Sequence, residues 1–205
     1  MVIFRKLLIL ALMLITLGVS AQDYEIWGTL KVGGKLNDKW TIEAEGEHRY
    51  NFDANQSRYF HYDIGALYSI NKSFKVGLFY RDIFETKGDV ISRVTVPHGD
   101  VIFSKSGFKF RTRLEYIKKY GDYENKFRLR LRPGYQTKFW KNCNPFIQDE
   151  MFLTNIDELA RNRLNLGISI KAGNFTFQPG YLLESNHKDL WANKNILWIN
   201  TKIKF

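Results

Sequence analysis

The chain has 205 residues, with 31 Lys plus Arg against 21 Asp plus Glu, 16% aromatic residues and a single Cys. That length suits one domain, and a mean hydropathy of -0.33 excludes a helical membrane protein, whose every span needs about 20 mostly apolar residues in a row. So many aromatic side chains exclude disorder, and one Cys excludes a disulfide framework or a Cys-based zinc site. Two classes remain: a soluble basic domain, or a membrane protein whose hydrophobicity is hidden in alternation.

At the amino terminus, Arg5 and Lys6 precede the apolar run Leu7 to Leu17, and small residues follow at Val19-x-Ala21. These are the three parts of a secretory signal, with cleavage expected after Ala21. The predicted domain organisation is therefore a signal peptide over 1–21 and one domain over 22–205. Removing Arg5 and Lys6 leaves 29 basic and 21 acidic residues, a net charge of +8. Export turns that basic balance away from nucleic acid.

From there the period is two. Ile26, Gly28, Leu30, Val32 and Leu36 share one face of the first segment. In the next, Trp40, Ile42, Ala44, Gly46, His48 and Tyr50 alternate with Thr41, Glu43, Glu45, Glu47 and Arg49. Strict alternation of this kind is a strand with one apolar and one polar face. It recurs from Phe60 to Ile70, Phe108 to Tyr116, Phe127 to Tyr135, Leu164 to Ile170, Phe175 to Leu183 and Leu197 to Phe205. Phe74 to Glu85, Val90 to Phe103 and Pro145 to Thr154 alternate less cleanly, which leaves their facing open. Strands of about 11 to 14 residues exceed the globular norm and match tilted membrane-spanning strands.

Short turns at Asn37-Asp38, Asn71 to Ser73, Lys105 to Gly107, Lys141 to Asn144 and Gly173-Asn174 alternate with longer polar loops. Transmembrane barrels have this asymmetry. Trp40, Phe74, Phe108, Trp140, Phe175 and Phe205 each lie beside a short turn or at the chain end. An aromatic ring at one level suits a membrane interface. The reading is all-β: an antiparallel transmembrane barrel of about 10–12 strands.

Phe108 to Glu115, Phe127 to Arg132, Pro145 to Glu150 and Asn162 to Gly167, together with the signal segment, resemble an uncharacterised outer-membrane barrel family, domain of unknown function twenty-four-ninety. The resemblance implies an outer-membrane barrel of a Gram-negative bacterium and brings no established chemistry. The ending on Phe205 resembles the signal read by the barrel assembly machinery, which is then an expected partner.

Five hairpins from Lys39 to Phe205 give ten strands, and Tyr24 to Leu36 adds an eleventh. Bacterial barrels normally close on an even number, so ten or twelve is expected, with bends at Gly33-Gly34 or at Pro97 and Gly99. The inward charges are sorted: Glu43, Glu45 and Glu47 on one strand; Lys109, Arg111, Arg113, Glu115, Lys126, Arg128, Arg130 and Arg132 on two consecutive strands; Glu150, Arg161 and Arg163 beyond them. Ten strands imply a backbone radius of roughly 10 Å and twelve roughly 12 Å. The first is filled by a charge network; the second leaves a narrow channel preferring small anionic solutes.

An enzymatic alternative is a rim-sited hydrolase acting on lipid or peptide, with His61 and Asp63 as candidate catalytic residues and Ser57 and Ser69 on the same strand. No nucleophile-elbow motif supports it. The four His residues show no metal-ligand spacing, so no metal or cofactor is expected. Lys118, Lys119, Lys188 and Lys194 are candidates for contact with outer-membrane lipid and lipopolysaccharide. A monomer is expected, and a soluble exported lipid-binding barrel is the competing class.

Overall fold

The computed structural model describes residues 24–88, 90–120, 125–156, 158–187 and 192–205. The expected signal segment and Lys188 lie outside the described residues. Eleven strands follow one another along the chain: β1 (Tyr24–Lys35), β2 (Trp40–Asn51), β3 (Gln56–Ser69), β4 (Phe74–Lys87), β5 (Val90–Lys105), β6 (Phe108–Lys119), β7 (Lys126–Gln136), β8 (Cys143–Thr154), β9 (Glu158–Ala172), β10 (Phe175–Asn186) and β11 (Ala192–Lys204). They close into a single barrel in sequence order.

Ten of the eleven seams are antiparallel, and β1 closes on β11 in parallel, from Tyr24 opposite Asn195 to Gly33 opposite Lys204. This corrects the even count. β1 is a regular strand that pairs with β2 along one edge, so its other edge needs a partner. With an odd number of strands the first and last run the same way. The seam continues to the last residue, where the Phe205 amide donates to the Gly33 carbonyl at 3.0 Å.

Register shifts fall between Arg49 and Tyr50 and between Phe152 and Leu153. They do not fall at the expected bends: Gly33 and Gly34 pair in step with Glu43 and Ile42, and Pro97 and Gly99 with Tyr80 and Leu78. Pro97 instead marks a gap in the ladder toward β6, because proline has no N–H to give. The short turns use local chemistry. The Asn71 side chain accepts from the Ser73 and Phe74 amides at 2.8 and 2.9 Å, and Asn37 does the same for Lys39 and Trp40, as asparagine does in such turns. Ser106 and Gly107 both have positive φ, 50° and 86°, the conformation that a two-residue hairpin requires.

The outward face is apolar, as at Leu78 (76% exposed), Ile64, Val101 and Leu166. Trp40, Phe74, Phe108, Trp140, Phe175 and Phe205 are all exposed at the end where the short turns lie. Trp40 packs on Tyr68 and Phe74 on Phe103, with centroids 5.0 and 4.9 Å apart. The segments of open facing are now placed. β4 turns Lys75, Phe79, Arg81 and Ile83 inward, and β8 does so with Phe146, Gln148, Glu150 and Phe152.

Phe79 explains two glycines. A Cβ on Gly65 would collide with the Leu78 carbonyl and the Phe79 ring, and one on Gly77 would lie 2.6 Å from the Leu67 side chain and 2.8 Å from that ring. The ring lies in that hollow and stacks flat on His98, with centroids 5.2 Å apart. Gly65→Ala should therefore displace the β4 backbone at Leu78 as well as the Phe79 ring and cost about 1–3 kcal/mol, read as a lowered denaturant midpoint. An unchanged midpoint would show that the hollow is slack.

Candidate functional site

Every second side chain points into the lumen, and eleven strands set its width. At a spacing near 4.8 Å and a tilt near 40°, the backbone radius is about 11 Å. An extended Arg side chain spans more than half of that distance. Thirteen Lys and Arg side chains and six carboxylates line a central cavity of about 400 Å³.

On β6 and β7, Arg111 stands directly opposite Arg132, and Arg113 opposite Arg130. Like charges facing across a ladder destabilise it, so acids must intervene. Asp100 on β5 takes Arg113 in a two-pronged pair at 2.6 and 2.8 Å. Glu150 on β8 accepts from Arg130 at 2.8 Å. Glu115, wholly buried, accepts from Arg130 at 2.7 Å and Arg128 at 2.5 Å. Farther round, Arg163 donates to Glu184 at 2.7 Å, with Arg161 at 3.5 Å from it. The acidic strand β2 does not reach across to these arginines. Glu43 pairs with Lys31 at 2.6 Å and Glu47 with Arg49 at 2.6 Å, while Glu45 lies 3.4 Å from His61.

At mid-height the contacts close into a ring. The Arg49 guanidinium lies between the Trp27 and Tyr59 rings, 3.7 and 3.8 Å from their centroids. Trp27 also faces Arg163 at 4.7 Å; Arg163 and Arg130 both lie 4.7 Å from the Phe152 centroid. Arg130 leads to Glu115, from which Arg81 is 3.9 Å; Arg81 is 3.9 Å from Glu45, and Glu45 meets His61. His61 Nδ1 lies 3.0 Å from the Tyr59 hydroxyl, which completes the circuit. Each guanidinium–ring contact in such a dry place is worth about 1–2 kcal/mol.

The annulus residues line the central cavity together with groups on either side of them. On the loop side is a vestibule of about 1020 Å³ lined by Lys119, Lys126, Arg128, Arg161 and Lys194, with Glu85, Glu158 and Glu184. On the turn side lie Lys31, Lys75, Lys109, Arg111, Arg132 and Lys202. Lys31 and Lys202 are register partners across the seam. The four charges acting most strongly on Lys109 are all cations, namely Lys202, Arg132, Arg111 and Lys31. Among the described residues, neither Lys109 nor Lys202 has a carboxylate within 4 Å.

The candidate dyad is not assembled. Asp63 is bound by Arg81 at 2.6 and 3.2 Å, while His61 turns to Tyr59 and Glu45. Ser57 lies on the outward face, where its hydroxyl is 2.8 Å from His48 Nε2. Among the described residues no His, Cys, Asp and Glu cluster could hold a metal ion. Trp27, Tyr59 and Phe152 are the annulus residues that charge counting misses. Trp27 had a signal, since it alternates with Ile26 and Gly28; Phe152 lies beside a register shift, which hides its face.

Residues 24–193 match the model of a family described as a protein of unknown function, DUF2490. The chain belongs to this family. A comparison with curated proteins finds no match. The span matched within DUF2490 contains every member of the annulus.

Glu115→Gln should leave Arg128 without a carboxylate and Arg130 with Glu150 alone inside the DUF2490 barrel, and cost about 3–5 kcal/mol. Glu43→Gln loosens a partly solvated pair and should cost under about 1 kcal/mol. Denaturant midpoints compare the two, and equal losses would remove the special standing of the annulus.

Proposed function

We propose that this barrel spans a bacterial outer membrane and that its lumen takes up and passes small inorganic anions. Support for the membrane comes from the outer wall. Above the turn-side aromatics the wall is apolar apart from Thr112 and Thr201 until polar side chains appear at His48, Asp82, Lys118 and Asn195, eight to ten residues from Trp40, Phe74, Phe108 and Phe205. At about 3.3 Å per residue and a 40° tilt, that is about 20–25 Å, the height of a lipid-facing band. Phe205, at the end of the closing strand, is the expected point of recognition by the barrel assembly machinery.

The observation that carries the anion reading is the turn-side cluster. Lys109 faces lumen space with Lys202, Arg132, Arg111 and Lys31 as its electrostatic neighbours, whereas Lys202 feels Lys31 and Arg132 and, in the opposite sense, Glu45 and Glu43; neither lysine has a carboxylate within 4 Å among the described residues. Rings of Lys and Arg favour anions, and a bound anion would relieve the mutual repulsion. An ion crossing the lumen would have to pass the annulus, so the expected conductance is low.

Migration that changes on heating, together with a requirement for detergent, is the expected behaviour; full solubility without detergent overturns the membrane reading. In planar bilayers under a salt gradient, the reversal potential should report anion preference. Lys109→Gln with Lys202→Gln should move it toward cation preference. No conductance in any form would leave a packed barrel with a structural role.

A second reading rests on one contact, the 2.8 Å approach of the Ser57 hydroxyl to His48, since a hydroxyl beside an imidazole is the minimal unit of an activated nucleophile. The hydrolase alternative thus moves from His61 and Asp63 to the outer wall. It requires that Ser57→Ala abolish hydrolysis of a phospholipid in mixed micelles; turnover that survives excludes Ser57.

A further inference from the structure

On the outer wall, well away from the lumen, Asp82 occupies an outward position in register with Tyr62 on β3 and Thr95 on β5. A carboxylate facing an apolar wall is costly unless it is fully bonded, and this one is 0% exposed. It accepts from Tyr62 at 2.6 Å, Thr95 at 2.9 Å and Arg93 at 2.6 Å. Those bonds fix Arg93, whose guanidinium also lies 5.2 Å from the Tyr120 ring centroid. Only one of its five N–H donors is taken by Asp82, and its side chain remains 47% exposed. Lys118 stands directly opposite Thr95 on β6, exposed and with no carboxylate within 4 Å among the described residues. Arg93 and Lys118 are therefore diagonal neighbours, about 7–8 Å apart at the backbone, a gap that a tetrahedral phosphate fits.

We propose that Arg93 and Lys118, with the Tyr120 hydroxyl beside them, seat the phosphate of an outer-leaflet lipid. Asp82 neutralises Arg93 but aims it; Lys118 supplies the unbalanced charge. A guanidinium held in place before the ligand arrives loses less entropy on binding, and charge-assisted bonds to phosphate are among the stronger ones. The height agrees: Asp82 lies eight residues above Phe74, where the apolar band gives way to headgroups. The seat rests on the membrane reading of the previous section.

The test is native mass spectrometry of the full barrel released from detergent micelles, with three probes: the diphosphorylated lipid A portion of lipopolysaccharide, its dephosphorylated form, and inorganic phosphate. The wild type should retain the phosphorylated lipid and not the dephosphorylated one. Lys118→Gln, which removes no internal contact, should weaken retention about tenfold, and Arg93→Gln should weaken it further, while Lys109→Gln in the lumen should leave it unchanged. Where Arg93→Gln does not fold, Lys118→Gln decides. Equal retention by wild type and Lys118→Gln overturns the seat. So does displacement of the lipid by millimolar inorganic phosphate together with loss in Lys109→Gln, which would locate the anion in the lumen. A barrel soluble without detergent removes the membrane reading and the seat together; a detergent-requiring barrel whose Lys118→Gln form binds normally removes the seat alone.

Discussion

The parallel register of β1 on β11 leaves no strand edge open anywhere in the barrel. Without it, two strands would present rows of unpaired N–H and C=O groups, each costly away from water. Closure on eleven strands fixes the circumference and hence a radius of about 11 Å. That radius determines the lumen, since arginines from separated strands can meet a shared ring or carboxylate near the axis. The barrel wall thus dictates which side chains must find one another.

Inside, charge and ring alternate because neither suffices alone. Arg111, Arg113, Arg130 and Arg132 face each other across one ladder, and Asp100, Glu115 and Glu150, with Asp63 3.7 Å from Arg113, make that tolerable. Trp27, Tyr59 and Phe152 supply flat faces that accept guanidinium groups without adding charge. The neutralised arginines are the structural ones. The cations left over, Lys109 and Lys202, gather on the turn side, and the proposed anion chemistry begins with them.

Much of the barrel was legible because a period of two needs only one chain to be seen. The alternation of Trp40 to Tyr50 gives β2 with its faces, and the same holds for β6, β7 and β11. Where it failed, the reason was chemical. On β4, Phe79 and Ile83 turn inward while Asp82 turns outward, so the strand is apolar on both faces and polar on both. The strand number was not readable from one-dimensional pattern, since parity is a property of closure. The candidate site was legible as a list of charges and not as pairs. Glu43, Glu45 and Glu47 suggested a counter-surface for the β6 and β7 arginines, whereas Asp100 and Glu150 do much of that neutralising from segments with blurred alternation. Sequence separation hides such partners: Arg130 reaches Glu150 on one side and Glu115 on the other.

The parallel seam also constrains the order of events during folding. Every other seam joins neighbours along the chain, whereas Tyr24 meets Asn195 only after all ten hairpin pairings are available. Non-local pairing of this kind is slow because the entropy of closing so large a loop is lost before any ladder bond forms. Until that seam forms, the two edges left unpaired are those of β1 and β11. Unpaired edges of this kind are templates for pairing with a second chain, so closure of the parallel seam is also what protects the barrel from edge-to-edge association.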